Sequence, residues 1–177
     1  MTFSLRVVAA CGLALVAGPA LFAAEIVYQQ PAEFLEEQLP GCDRQALWLD
    51  RELKEAAATL LERPYTGARV RYCTDAGRTA WILDEIGKTE PITTGIVIDA
   101  GRVEQVRVLV FRESRGGEVH REAFTQQYRQ ATLADDYRLD RTIDGITGAT
   151  LSVWALNRQV RLALLFDRAV RAQRDDA

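Results

Sequence analysis

The sequence is poor in the residues that carry stand-alone catalysis. It holds one histidine, His120, so a Ser-His-Asp or Cys-His site has a single possible base, and no nucleophile is placed beside it by spacing. His120 therefore reads as a surface residue near the start of a helix. The three cysteines, Cys11, Cys42 and Cys73, form no pair with metal-finger spacing, and there is no Cys-x-x-Cys-His for haem attachment. Thr147-Gly148-Ala149-Thr150 lacks the Gly-Lys-Ser/Thr of a P-loop, so nucleotide hydrolysis is not indicated. Acids and bases are interleaved and the net charge is −3, which leaves no basic face for nucleic acid and no polybasic anchor. Acid pairs such as Glu36-Glu37 and Asp135-Asp136 read as solvated faces, with no spacing that favours a metal. There is no internal repeat, and 12 glycines and 5 prolines show no collagen-like or low-complexity bias.

What remains is an ordinary globular composition, 48% hydrophobic and 27% charged, in 177 residues. That length suits one domain and therefore one principal site. Residues 1–24 read as an export signal: Arg6 precedes an uncharged, largely apolar run from Val7 to Ala24, closed by Glu25. The run is near the lower limit for spanning a bilayer, and Gly18-Pro19 weakens its outer part, so an uncleaved N-terminal anchor is the alternative. Either reading puts the folded part in the periplasm or otherwise outside the cytoplasm. There Cys42 and Cys73 can be oxidised, as one disulfide or left as two buried thiols, and sequence separation does not decide between these. Removing residues 1–24 takes away one base, Arg6, and no acid, making the remainder one charge more negative.

Residues 25–86 read as N-terminal helices and a first hairpin, and they form one domain with residues 87–172. A short helix from Pro31, with Phe34, Leu35 and Gln38 on one side, stops at Pro40-Gly41. Asp43 is the expected N-cap of a second helix, whose stripe of Leu47, Leu49, Leu53, Ala56, Ala57, Leu60 and Leu61 runs to Arg63-Pro64. From Gly67 the period shifts towards two. Val70 to Cys73 and Thr79 to Leu83 form a hairpin about Asp75-Ala76-Gly77, and Ile92 to Ile98 joins Val103 to Phe111 across Asp99-Ala100-Gly101. Arg112 to Gly117 is a loop, His120 to Arg129 is helical with Phe124 and Tyr128 paired, and a long helix runs from near Thr150 to near Arg171. The fold class is α+β, an antiparallel sheet packed with helices.

The informative stretch opens the last helix: Asp144-Gly145-Ile146-Thr147-Gly148-Ala149-Thr150-Leu151-Ser152. A helix start leaves N–H groups unpaired at the positive end of the helix dipole, which makes a natural phosphate seat. Gly148 permits close approach, and Thr147, Thr150 and Ser152 offer three hydroxyls. Taken alone, the same residues also suit a plain capped helix start, with Thr147 or Asp144 as N-cap.

The stretch closely resembles the flavinylation motif of the FMN-binding domain family, which includes the G subunit of the Rnf electron-transport complex and the C subunit of the sodium-translocating NADH:quinone reductase. The resemblance implies that Thr150 holds FMN through a phosphoester bond, installed from FAD by a separate exported, magnesium-dependent flavin transferase that requires the acid at Asp144. Thr147, Gly148, Ala149, Leu151 and Ser152 complete the implied cofactor-binding motif. The resemblance extends upstream to about Gly87. There the loop Glu113-Ser114-Arg115-Gly116-Gly117 stands where the family has a Glu-Thr-Pro-Gly-Leu-Gly-like segment, without its proline and leucine, and implies that Glu113, Gly116 and Gly117 line the flavin ring. Trp48, Trp81 and Trp154 are aromatic residues able to stack on a ring, of which Trp154 is nearest in sequence to Thr150.

Three functions follow as expectations. The first is an exported electron carrier with an unidentified redox partner, such as a membrane electron-transport complex. The second is a flavin-free exported binding module using the same helix end for an anion. The third is an enzyme reducing a small substrate at the flavin.

Overall fold

A computed structural model describes residues 25–175. The expected signal or anchor at residues 1–24 lies outside them. Among the described residues no helix is long and apolar enough to cross a membrane.

The elements follow in the order β1 (Ile26–Val27), α1 (Pro31–Gln38), β2 (Asp43–Trp48), α2 (Arg51–Leu61), β3 (Arg69–Asp75), β4 (Arg78–Ile86), β5 (Pro91–Asp99) and β6 (Arg102–Phe111). Two 3₁₀ turns, Gly117–His120 and Gln126–Tyr128, flank the single-turn α3 (Glu122–Thr125), and α4 (Thr150–Asp175) closes the chain. The six strands make one antiparallel sheet in the order β1-β6-β5-β4-β3-β2. The α+β expectation is met, and both expected hairpins are present.

The two hairpins turn through the same tetrad, Asp75-Ala76-Gly77-Arg78 and Asp99-Ala100-Gly101-Arg102. Alanine and glycine both take positive φ in each turn, 45° and 87° in the first and 45° and 77° in the second. Two consecutive positive φ values match the right-handed twist of the flanking strands. The turn thereby sets the register that sends Ile92, Ile96 and Ile98 to one face.

That face carries the main core. α2 and α4 cover it, and Leu156, Val160, Ala163 and Phe166 of α4 pack against Trp81, Ile92 and Ile96. Buried polar contacts fix α4 along the sheet: Gln159 donates to the carbonyls of Leu83 and Ile92, and Asp167 accepts from the Thr79 hydroxyl at 2.7 Å and from Arg171 at 2.8 Å. Arg158 bonds Glu85 and the Ile86 carbonyl, at 3.1 and 3.0 Å, so the N-terminal part of α4 is held at the end of β4.

Among the described residues, α1 is the helix on the opposite face, over a smaller core of Phe34, Leu39, Ala80, Val97 and Leu109. Phe34 lies flat over Gly95: a Cβ added there would stand 2.5 Å from the ring. Gly95→Ala is expected to push α1 off the sheet and destabilise the fold by about 1–3 kcal/mol, measurable by denaturant titration. An unchanged midpoint would show that α1 is not seated as described.

Three expectations need correction. Asp43 does not cap a helix: Asp43–Trp48 is an edge strand paired with β3, and the cap is Asp50, which accepts from the Leu53 amide at 2.8 Å. Leu47 and Leu49 sit two apart, so they fit extended chain as well as a helix stripe: Leu47 is buried in β2 opposite Val70, and Leu49, just past β2, is buried with its amide bonded to the Ala68 carbonyl. The helical segment expected from His120 to Arg129 begins at Glu122, one α turn running directly into a 3₁₀ turn that ends at Tyr128, and Arg121, whose backbone is extended, separates it from the 3₁₀ turn that ends at His120. Phe124 and Tyr128 still meet edge-to-face at 5.9 Å. Finally, α4 runs on to Asp175.

Cys42 and Cys73 form a disulfide, with Cα atoms 5.6 Å apart. It ties the start of β2 to β3 beside the α1 core.

Candidate functional site

The stretch singled out from sequence lies where α4 begins. Ala149 donates to the Ile146 carbonyl at 2.9 Å, Gly148 turns through φ 84°, and the first intrahelical bond runs from Val153 to Ala149 at 3.0 Å. Ala149 therefore occupies the N-cap position. Its methyl cannot accept from the amides of Leu151 or Ser152, and alanine is among the poorest caps, at about 1 kcal/mol below Ser, Thr, Asp or Asn. The helix thus starts with donors that its own sequence does not satisfy. Neither Thr147 nor Asp144 serves as cap, which removes the plain capped-start reading.

These donors border a cleft of about 580 Å³, lined on one side by Gly148, Ala149, Thr150, Leu151 and Ser152 and on the other by Lys88, Glu113, Ser114 and Arg115. A second cleft of about 520 Å³ adjoins it across Arg115 and Gly148, and takes in Gly116, Gly117 and Thr147. The loop after β6 is thereby brought against the helix start. Gly116, at φ 86°, makes the approach possible, because a Cβ there would lie 2.6 Å from the Ser152 Oγ and 3.3 Å from Ala149. A Cβ at Gly148 would meet nothing within 4 Å, so Gly148 is required for its φ and leaves open space above the helix end.

Of the residues expected from sequence, Thr147, Gly148, Ala149, Thr150, Leu151, Ser152, Glu113, Gly116 and Gly117 all line one or both clefts. Thr150 is exposed, while Ser152 is buried beneath Gly116. Asp144 lines neither cleft. Its backbone is held by the Gln127 side chain at 2.8 Å, and its carboxylate is on the exposed run before the turn.

Glu113 is buried, and its carboxylate faces the backbone. Oε1 accepts from the amides of Lys88, Thr89 (2.6 Å) and Glu90 (2.9 Å), and Oε2 from the Thr89 hydroxyl. Burial acts to raise its pKa, but the amide donations from Glu90, Thr89 and Lys88 outweigh burial and hold it below the usual carboxylate range. Glu113 thus clamps the β4–β5 connection and presents Lys88 to the cleft. Because the folded value is depressed, this stabilisation is complete above the unfolded carboxylate pKa of about 4.3 and is lost as pH falls through the folded value. Glu113→Gln removes the charge that strengthens these bonds. It is expected to cost about 1–2 kcal/mol at neutral pH, to speed amide exchange at Lys88 to Glu90, and to flatten the acid limb of stability. An exchange pattern matching the wild type would contradict the clamp.

With the Glu113 charge satisfied by amides, the cleft is electropositive. Lys88 and Arg115 make no ion pair among the described residues. Lys88, Ser114 and Arg115 are additions to the expected set, and the position of the loop beside the motif was the only signal for the last two.

The remaining candidates lie elsewhere. His120 is exposed, bonds the Gly117 carbonyl and stacks on Tyr28 with centroids 4.2 Å apart. Trp81 is fully buried, with its Nε1 bonded to Thr79. Trp48 is on the edge strand under the Arg69 guanidinium. Trp154, 54% exposed, follows Thr150 by one helical turn and lines neither cleft.

The family model of the FMN-binding domain matches residues 87–165. These residues belong to the FMN-binding domain family. The FMN-binding domain so defined starts at Gly87, where Glu113 clamps the connection, and takes in β5, β6, the Glu113–Gly117 loop and α4 as far as Leu165. Both clefts fall within it. An FMN-binding domain binds flavin, and flavin brings electron-transfer chemistry. No curated protein and no solved structure matches the chain.

Proposed function

We propose that this chain is an exported electron carrier in which FMN is attached covalently to Thr150. The observation that carries the reading is the start of α4: an alanine-capped helix end with unsatisfied amides, an exposed threonine hydroxyl in its first turn, and Lys88 and Arg115 across the cleft. A phosphate esterified to Thr150 supplies the acceptor that Ala149 lacks, and the helix dipole and both cations favour its charge. The residues present fit the group, and the flavin supplies the redox chemistry. The chain holds the phosphate, leaves space above Gly148, and positions the Glu113–Gly117 loop beside it.

In the attachment step the Thr150 oxygen forms a bond to the FMN phosphorus of FAD. The anhydride bond to the AMP phosphorus breaks, AMP leaves, and the hydroxyl proton passes to solvent or a base of the transferase. That magnesium-dependent flavin transferase is one partner. A membrane or periplasmic redox protein is the other. Export is supported by the N-terminal apolar run and by the Cys42–Cys73 disulfide, which belongs to an oxidising compartment. With export, covalent attachment keeps the cofactor from being lost by diffusion.

Expression with the transferase should give protein whose yellow colour and flavin fluorescence persist through denaturing electrophoresis, and expression without it should not. A colourless band with the active transferase present would overturn the covalent reading.

A further inference from the structure

A cavity on the other face of the sheet shares no residue with the two clefts at the start of α4. α1 packs on β4 and β5, and beyond the buried Cys73 the neighbouring β2–β3 ribbon presents exposed Arg44, Trp48, Arg69 and Arg71 on that face. A gap adjoins it. β3 pairs with β4 from Asp75↔Arg78 to Tyr72↔Trp81 and no further, although β4 continues to Ile86. Arg69, Val70 and Arg71 thus pair with β2 alone and diverge from β4. Groove and gap together enclose about 930 Å³. Leu35, Ala46, Ala80 and Ile82 give it an apolar floor, and Tyr65 and Tyr72, from the α4 side of the sheet, line the part that reaches into the gap.

The rim is cationic. Arg44, Arg69 and Arg71 line this cavity and no acid does. Arg44 is opposite Cys73, Arg71 opposite Ala46 and Arg69 opposite Trp48, so the three arginines share one face, with neighbours roughly 7 Å apart along and across the strands. Like charges at that spacing repel. Nine ion pairs are present among the described residues, and none includes these three. In a chain of net charge −3, with acids in excess, three arginines without an ion-pair partner among the described residues, one of them stacked on Trp48, over an apolar floor are complementary to an anion from outside.

We propose that this cavity binds a small organic anion, with a carboxylate, sulfonate or phosphate head held by Arg44, Arg69 and Arg71 and an apolar or aromatic body lying along Ala80 and Ile82 towards Tyr65. Guanidinium forks match such oxyanions, and the volume falls within the range of small-molecule pockets. The proposal does not depend on the flavin reading.

The test is calorimetric titration of the purified full chain with naphthalene sulfonate, with its uncharged counterpart naphthalene methanol, and with inorganic sulfate. Saturable binding of one naphthalene sulfonate per chain is expected, with the other two at least about tenfold weaker because each lacks one half of the recognition. Arg44→Gln combined with Arg71→Gln should weaken naphthalene sulfonate at least about tenfold. Both side chains are exposed, so circular dichroism should be unchanged. Equal binding of the uncharged compound, no saturable binding, or undiminished affinity in the double variant would each overturn the proposal.

Discussion

Thr150→Val is expected to leave the protein folded and without covalent flavin. The side chain is exposed in the first turn of α4 and carries no packing, so the change in stability should stay within about 0.5 kcal/mol. Valine keeps the branched shape and loses only the nucleophilic oxygen. Attached flavin should fall from close to one per chain to none detectable, whereas Thr150→Ser, which keeps an oxygen at the same helical position, should be labelled. The pair separates chemistry from folding, since a variant that merely misfolded would lose the circular dichroism signature as well. Flavin content unchanged in Thr150→Val would move the attachment to another hydroxyl of the two clefts, Thr147, Ser114 or Ser152.

Removing the disulfide should have the largest effect on stability. Cys42 and Cys73 are 31 residues apart, and the bridge closes a loop containing β2, α2 and the first part of β3. Loop-closure entropy for that length comes to about 3–4 kcal/mol. β2 is the edge strand and pairs only with β3, so nothing else in the sheet retains it when the bridge is absent. The double variant Cys42→Ala, Cys73→Ala is expected to melt roughly 10 °C lower. No residue of this loop lines the clefts at the start of α4 where FMN is proposed to sit, so labelling at Thr150 should survive at temperatures where the variant is folded. A melting temperature within error of the wild type, with the bridge of the wild type verified intact, would show that it does not constrain the unfolded chain as argued.

Much of the sheet is legible in the sequence because its hairpins are local. The repeated Asp-Ala-Gly turns and the alternating valines of β6 announce β3 to β6 within a window of a few residues. β2 is hidden because Leu47-Trp48-Leu49 precedes a true helix whose stripe they extend, and only pairing with a strand more than twenty residues later decides the matter. β1, two residues long, has no periodicity to read and exists because β6 offers a free edge. The site divides similarly. The Thr147–Ser152 run is contiguous and carries its own chemistry, so Thr150 stands out from sequence alone once the motif is noticed. The Glu113 clamp joins one carboxylate to three amides 23 to 25 residues away, and no local pattern encodes it. The absence of a capping side chain at Ala149 is visible in the letters. Its meaning appears only when the helix start is placed and shown to border an open, positive cleft.

The central claim is tested most directly by the intact mass of the mature protein made with the flavin transferase, followed by fragmentation of the peptide containing Thr150. The expected mass is that of the processed chain with its disulfide, plus one FMN less one water, and the added mass should reside on Thr150. A chain at its bare mass despite active transferase, or flavin located on a different residue, would contradict the account.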